Sequence, residues 1–113
     1  APGEPSASIR ERVIKARGIQ AERYKDYKGI HCNAQMSERM IHLFAEPDEA
    51  GMDMLRMAME RLSLSARAYS RILKVARTIA DLAGCEQVEP MHLAEAIGYR
   101  TLDRGDWAER GHI

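Results

Sequence analysis

Arg67 is the residue whose type and position could most directly take part in chemistry. It stands in the run Ser65-Ala66-Arg67, where Ser65 is expected to cap a helix and so to place Arg67 in the first turn. A cation is disfavoured there because the N-terminal end of the helix dipole is positive. A guanidinium beside the free N–H groups of a helix start is, however, a good phosphate contact. From the residues alone, a phosphate-binding arginine and a merely exposed arginine are equal alternatives.

Histidine and cysteine offer a second kind of chemistry, metal binding. The spacing of these side chains matches neither the structural nor the catalytic patterns of zinc sites. We therefore predict no metal site, and interpret the cysteines as small buried thiols and the histidines as scattered surface residues. The candidates are His31, Cys32, His42, Cys85, His92 and His112.

Basic residues on the first predicted helix could contact a phosphate backbone. They alternate with Glu11, Glu22 and Asp26, so a solvated face is the better interpretation. The whole chain balances 17 basic against 17 acidic residues, whereas a free-standing nucleic-acid binder usually carries a basic excess. Composition thus argues against nucleic-acid binding as the primary function of the chain.

Two further motifs are missing from the sequence. No glycine belongs to a Gly-x-x-x-x-Gly-Lys-Ser/Thr run, the loop that cradles nucleotide phosphates, so the chain alone is not expected to hydrolyse ATP. No apolar run approaches the roughly 20 residues that span a bilayer, and two cysteines beside a self-sufficient core indicate reduced thiols. The expected location is the cytoplasm, away from membranes, and a first residue of Ala1 favours excision from a longer chain.

Helical periodicity predicts the elements that position these residues, and no segment alternates as a strand would. The expected fold is all-α, a lid-type bundle of about five helices within residues 8–100, between a linker at 1–7 and a tail at 101–113. Trp107 is expected to pack the tail against the bundle. The helices are predicted from about Ser8 to Gly29, over 37–45 with Ser37 as cap, from Pro47 to Leu62, over 66–83 between Ser65 and Gly84, and from Pro90 to about Tyr99.

The fourth helix carries the clearest amphipathic pattern. Arg77 is expected on its flank, available to an interface. Its inward face is predicted as Tyr69, Ile72, Val75, Ala76, Ile79, Ala80 and Ala83, opposite Arg67, Arg71, Lys74, Thr78 and Asp81. Inward faces are also predicted for the first helix (Ile9, Val13, Ala16, Gln20, Tyr24, Tyr27), the third (Met52, Leu55, Ala58, Met59, Leu62) and the fifth (Met91, Leu93, Ala94, Ile97).

The segment from Ser65 to Leu82, which reads SARAYSRILKVARTIADL, resembles the C-terminal domain of magnesium-chelatase-like AAA+ ATPases of the ComM/YifB type. Other segments agree in the same order, and together they cover about residues 4 to 107. They are the opening Glu4-Pro5-Ser6 with Ile9-Arg10-Glu11-Arg12-Val13, Ala16-Arg17 and Gln20, the loop Asn33-Ala34-Gln35-Met36, and His92-Leu93-Ala94-Glu95-Ala96-Ile97 with Tyr99-Arg100.

The resemblance implies a helical lid packed on the N-terminal P-loop ATPase core of the same chain, within a ring of subunits, expected to be a hexamer. In that family the Ser/Thr-x-Arg position carries the sensor-2 arginine, which implies that Arg67 contacts the terminal phosphate of ATP and that Arg71 assists it. ATP with Mg²⁺ would be bound by the full-length parent, a DNA-remodelling motor such as a helicase or branch-migration enzyme. A metal-chelatase motor is the less favoured variant.

A stand-alone helical adaptor that binds protein or DNA is the alternative. It predicts a basic or apolar patch that stays free in the parent protein, and DNA binding with a steep salt dependence. Zero net charge and Arg67 at a helix start favour the lid.

Overall fold

The computed structural model describes residues 6–109, and side chains over residues 6–99. Within that range the chain forms five α-helices, a short 3₁₀ turn and no strand, which confirms the predicted all-α class. None of the helices described is long and apolar enough to cross a membrane. The elements are α1 (Ser6–Arg23), the 3₁₀ turn (Asn33–Gln35), α2 (Glu38–Phe44), α3 (Glu49–Leu62), α4 (Ala66–Leu82) and α5 (Pro90–Glu109).

Side-chain caps fix where three of the helices begin. Ser37 and Ser65, both predicted as caps, accept hydrogen bonds from backbone N–H groups three residues ahead, and Asp48 does the same for Gly51. Each bond satisfies one of the N–H groups that a helix start leaves without a partner. Asp48 rather than Pro47 caps α3, so Pro47 lies just outside that helix.

Helix α4 packs against α5, α1, α2 and the 3₁₀ turn, and its inner face forms the centre of the core. Ile72, Ala76 and Ala80 are buried there as predicted, together with Leu73, which the pattern did not assign inward. Val75 is about one third exposed, at 36%, and Ala83 is exposed. Gly84 ends the helix in the left-handed region, with φ of 76°, a conformation that glycine adopts without steric cost.

Helix α1 ends at Arg23, earlier than the predicted end at Gly29. After Arg23 the backbone tightens into turns, with hydrogen bonds from Tyr27 N–H to Tyr24 O and from Ile30 N–H to Tyr27 O. Ala16 and Gln20 on its inner face are buried as predicted, and so is Tyr24 just after its end, but the side chain of Ile9 is 44% exposed.

Helix α5 begins at Pro90, as predicted, and continues to Glu109, beyond the predicted end near Tyr99. Leu93 is fully buried, whereas Met91 is 68% exposed and Ala94 is exposed, so these two inward assignments were wrong. Ala96 is buried four residues after His92 and three after Leu93, and Met91 and Ala94 fall beside this buried stripe. Residues 1–5 of the predicted linker and 110–113 of the predicted tail lie outside the described residues. The side chain of Trp107, which was expected to pack the tail against the bundle, also lies outside the described part.

Helix α3 approaches α5 closely and adds its buried face to the core. A Cβ atom on Gly51 would lie 2.7 Å from Cβ of Pro47 and 3.0 Å from Cδ1 of Leu93. Only glycine leaves room for this contact, which brings Leu55 and Leu93, both fully buried, into one core.

Candidate phosphate-binding groove

The N-terminus of α4 presents free hydrogen-bond donors to solvent. Ser65 Oγ accepts a hydrogen bond from the N–H of Ala68 at 3.3 Å, and Ser65 O accepts one from the N–H of Tyr69 at 3.1 Å. The N–H groups of Ala66 and Arg67 have no acceptor within the helix, as is general for a first turn. Both residues are exposed, so these donors can reach an anion from outside.

A groove of about 840 Å³ runs along the outer face of α4, between that helix and the start of α2. Arg67, Arg71 and Lys74 line it, and Glu38 is the carboxylate among the lining residues. Glu38 Oε1 accepts a hydrogen bond of 2.7 Å from Ser70 Oγ, which joins α2 to α4 across the groove. Both site residues predicted from the sequence therefore line one concave surface.

Three cations against one carboxylate give this groove a positive potential. Among the described residues, no carboxylate lies within ion-pairing distance of Arg67, Arg71 or Lys74. Neighbouring like charges on a helix repel one another, and a bound anion would relieve that repulsion. Open N–H donors, guanidinium groups and unneutralised charge suit the phosphates of a nucleotide.

The described residues offer no comparable site for a cation. No group of three His, Cys, Asp or Glu side chains in residues 6–99 could hold a metal ion. The interpretation of the cysteines as buried and the histidines as surface residues was partly wrong, because Cys32 is exposed and His92 is 3% exposed. Nδ1 of His92 accepts a hydrogen bond from the N–H of Glu89, so His92 stabilises the start of α5. His112 lies outside the described residues.

A buried polar network occupies the other end of α4, where the amphipathic pattern predicted a solvent-facing Asp81. The Asp81 side chain is fully buried, and both its oxygens bond the guanidinium of Arg23, at 2.7 and 2.8 Å. Asn33 Nδ2 donates to Asp81 at 2.9 Å, and Arg77 forms a second ion pair with it at 3.0 Å. Asp81 therefore ties α1 and the 3₁₀ turn to α4, and its predicted exposure was wrong.

Arg77, expected on the flank of α4, is buried at 3% exposure. Its guanidinium donates to the backbone oxygens of Phe44, Cys85 and Glu86 at 2.8–3.0 Å. Phe44 is the last residue of α2, and Cys85 and Glu86 come just after the end of α4, where intrahelical donors run out. Arg77 thus joins two helix ends inside the protein, and the expectation that it is available to an interface was wrong.

Burial and charge act in opposite directions on the ionisation of this network. Burial disfavours the Asp81 carboxylate, but hydrogen bonds from Arg23 and Asn33 and the charge of Arg77 outweigh it and lower the pKa of Asp81. The hydrogen bond with Asp81 raises the pKa of Arg23, while desolvation lowers that of the more deeply buried Arg77. Both arginines remain charged at neutral pH because a guanidinium is not deprotonated in proteins.

The lowered pKa of Asp81 predicts how stability depends on pH. A carboxylate whose pKa is lower in the folded state stabilises the fold fully above the unfolded pKa of about 3.9, and this contribution is lost as pH falls through the folded value. We expect the difference in unfolding free energy between wild type and Asp81→Asn to stay constant from about pH 7 to pH 5 and to shrink below about pH 4. Chemical denaturation across this range measures it, and a difference unchanged down to about pH 3 would contradict the prediction.

The exposed cations of α1 stand among exposed carboxylates. Arg10, Lys15 and Arg17 are exposed, and Glu11 and Glu22 are exposed among them. Lys25 pairs with Glu22 at 2.7 Å. The face has the mixed charge of an ordinary solvated helix.

Known proteins resemble this chain over nearly all of its length. Residues 3–100 match the family described as magnesium chelatase, subunit ChlI C-terminal. The chain is 45% identical over 102 residues to the competence protein ComM of Haemophilus influenzae, covering 90% of this chain and 19% of that protein. It is 38% identical over 103 residues to the uncharacterized protein YifB of Escherichia coli, covering 91% of this chain and 19% of the relative. The chain thus spans about a fifth of the length of these curated relatives.

Proposed function

The chain belongs to the magnesium chelatase subunit ChlI C-terminal family, in the form found in ComM-like proteins, and from this premise we propose that it is the lid of an ATP-hydrolysing AAA+ motor. The observation that carries the proposal is Arg67, which stands in the first turn of α4, beside free N–H donors, and lines a groove with two further cations. In the proposed role, Arg67 contacts the terminal phosphate of ATP. Arg71, one turn further along the helix, assists Arg67 in binding the phosphates.

A guanidinium in this position acts electrostatically. Charge accumulates on the oxygens of the transferring phosphoryl group, and a fixed positive group stabilises that charge more in the transition state than in the ground state. The groove is open to solvent on the outside of α4, so the phosphate can come from the core of the same chain or from a neighbouring subunit of a ring. The described residues contain no carboxylate cluster for Mg²⁺, and we assign the metal to the parent's P-loop core.

The parent is proposed to be a cytoplasmic ring motor that remodels DNA, as a helicase or branch-migration enzyme. This part of the proposal rests on the ComM-like resemblance. The adaptor alternative requires a patch that could bind DNA or protein by itself. The exposed cations of α1 are the nearest candidate, and the acidic residues among them make that face a weaker anion site than the groove.

Removal of the domain from the full-length parent tests the lid function. We expect the intact parent to contain a P-loop upstream of this segment, and expect deletion of the segment to lower ATP turnover by about a hundredfold or more, the scale of losing a transition-state charge contact. Steady-state phosphate release measures turnover, and sizing chromatography reports ring assembly as the control. A parent without a P-loop, or a truncated ring that hydrolyses ATP at the intact rate, would refute the lid function.

A further inference from the structure

Lys74 is a groove residue to which the lid proposal assigns no role. It lies seven residues after Arg67 and three after Arg71, on the same face of α4, and its side chain lines the groove. The Lys74 side chain is partly buried, whereas Arg67 and Arg71 are exposed. No described carboxylate pairs with it.

The length of this row of cations bears on what it can bind. A helix rises about 1.5 Å per residue, so roughly 10 Å of axis separates Arg67 from Lys74 and roughly 6 Å separates Arg67 from Arg71. A single phosphate cannot contact both ends of such a row without stretching the side chains toward one another. A chain of consecutive phosphates can, because each phosphate places negative charge beside a different cation.

We propose that Lys74 is a further phosphate-binding residue, which contacts the phosphates nearer the nucleoside while Arg67 contacts the terminal one. This rests on the proposed function and adds a direction to it: the triphosphate lies along α4 with its terminal phosphate at the helix N-terminus. That end of the helix carries the positive dipole and the open N–H groups, so it takes the most highly charged end of the ligand. Lys74, as a mobile point charge, then serves the phosphates that ATP and ADP share.

Removal of Lys74 and removal of Arg67 should therefore affect the binding of ATP and ADP differently. In the full-length parent with Mg²⁺, we expect Lys74→Gln to weaken binding of ATP and of ADP by about tenfold each, the scale of one charge-assisted hydrogen bond. Arg67→Ala should weaken ATP binding and leave ADP binding nearly unchanged, because ADP lacks the terminal phosphate. Equilibrium titration with fluorescent ATP and ADP measures both dissociation constants.

Two control variants separate a local charge effect from damage to the fold. Lys28→Gln removes an exposed cation outside the groove and should bind both nucleotides as wild type does. Lys74→Arg keeps the positive charge and should retain most of the wild-type affinity for ATP and ADP. Since the Lys74 side chain makes no hydrogen bond to the described residues, Lys74→Gln should melt at the wild-type temperature.

The outcomes distinguish this inference from the lid proposal itself. If Arg67→Ala weakens ATP binding and Lys74→Gln changes neither nucleotide, the role of Lys74 is overturned while the lid function stands. If neither variant alters nucleotide binding, the role of Lys74 is overturned, and the lid function fails as well if Arg67→Ala also hydrolyses ATP at the wild-type rate. If Lys74→Gln instead weakens only the binding of a single-stranded oligonucleotide, the groove is a nucleic-acid site. The proposed role of Lys74 is then likewise overturned.

Discussion

Arg67→Ala in the full-length parent is expected to lower ATP turnover by about 10²- to 10³-fold while the ring still assembles. Losses of this size follow when a single preorganised group that stabilises developing negative charge is removed. The Arg67 side chain is exposed and makes no hydrogen bond or ion pair to the described residues. Its removal should therefore leave the fold intact, so that the loss of turnover reports the contact with ATP and not damage to the domain.

Stability provides a second measurement for the same variant. An arginine in the first turn of a helix opposes the helix dipole, so Arg67→Ala should melt at the wild-type temperature or slightly above it. Arg10→Ala, which removes an exposed cation of α1, is the matched control and should retain full turnover. If Arg67→Ala hydrolyses ATP at the wild-type rate, Arg67 is a surface residue and the domain is better explained as an interaction module.

Arg77→Ala would not serve as a control in that experiment, although both arginines belong to α4. Arg77 is buried and bonds Asp81 and three backbone carbonyls. Its removal should destabilise the domain and lower turnover for that reason alone. A loss of activity in Arg77→Ala therefore carries no information about phosphate binding.

The contrast between these arginines shows what a helical pattern can and cannot predict. The placement of Arg67 depends on a local signal, because Ser65 caps α4 and the first turn follows directly. Five helices and most of their starts were predictable on the same basis, from periodicity and capping residues. Such signals need only a few neighbouring residues.

The buried network depends on partners that are distant in sequence. Arg23 lies 58 residues from Asp81, and Asn33 lies 48 residues from it. A single-helix pattern assigns a charged residue to solvent unless its partners are known, so Asp81 and Arg77 were placed outside. Their spacing of four residues on α4 is the local hint, since such a pair can form an ion pair on one helix face. The groove could not be predicted from the sequence for a related reason. Glu38, which lines it on the α2 side, lies 32 residues from its hydrogen-bond partner Ser70 on α4.

Asp81→Ala is expected to destabilise the domain by about 3–5 kcal/mol, the largest stability effect we predict. The substitution leaves Arg23 and Arg77, whose side chains are 12% and 4% exposed, without their shared counter-ion. An uncompensated buried charge costs this much because neither water nor a partner solvates it. The free energy of unfolding of such a domain is roughly 5–15 kcal/mol, so the variant should lose a large part of its stability. Thermal unfolding followed by circular dichroism should show a melting temperature lowered by about 15 °C or more.

Asp53→Ala is the matched control for this prediction. Asp53 also pairs with an arginine, Arg56 at 3.0 Å, but the side chains are 58% and 66% exposed, and exposed pairs contribute about 0–1 kcal/mol. Its melting temperature should stay within a few degrees of wild type. A double variant, Asp81→Ala with Arg23→Met, should recover part of the loss, since removing the stranded charge relieves its desolvation. If Asp81→Ala melts no lower than Asp53→Ala, the network does not hold α1 and the 3₁₀ turn to α4, and apolar packing alone fixes the orientation of the groove.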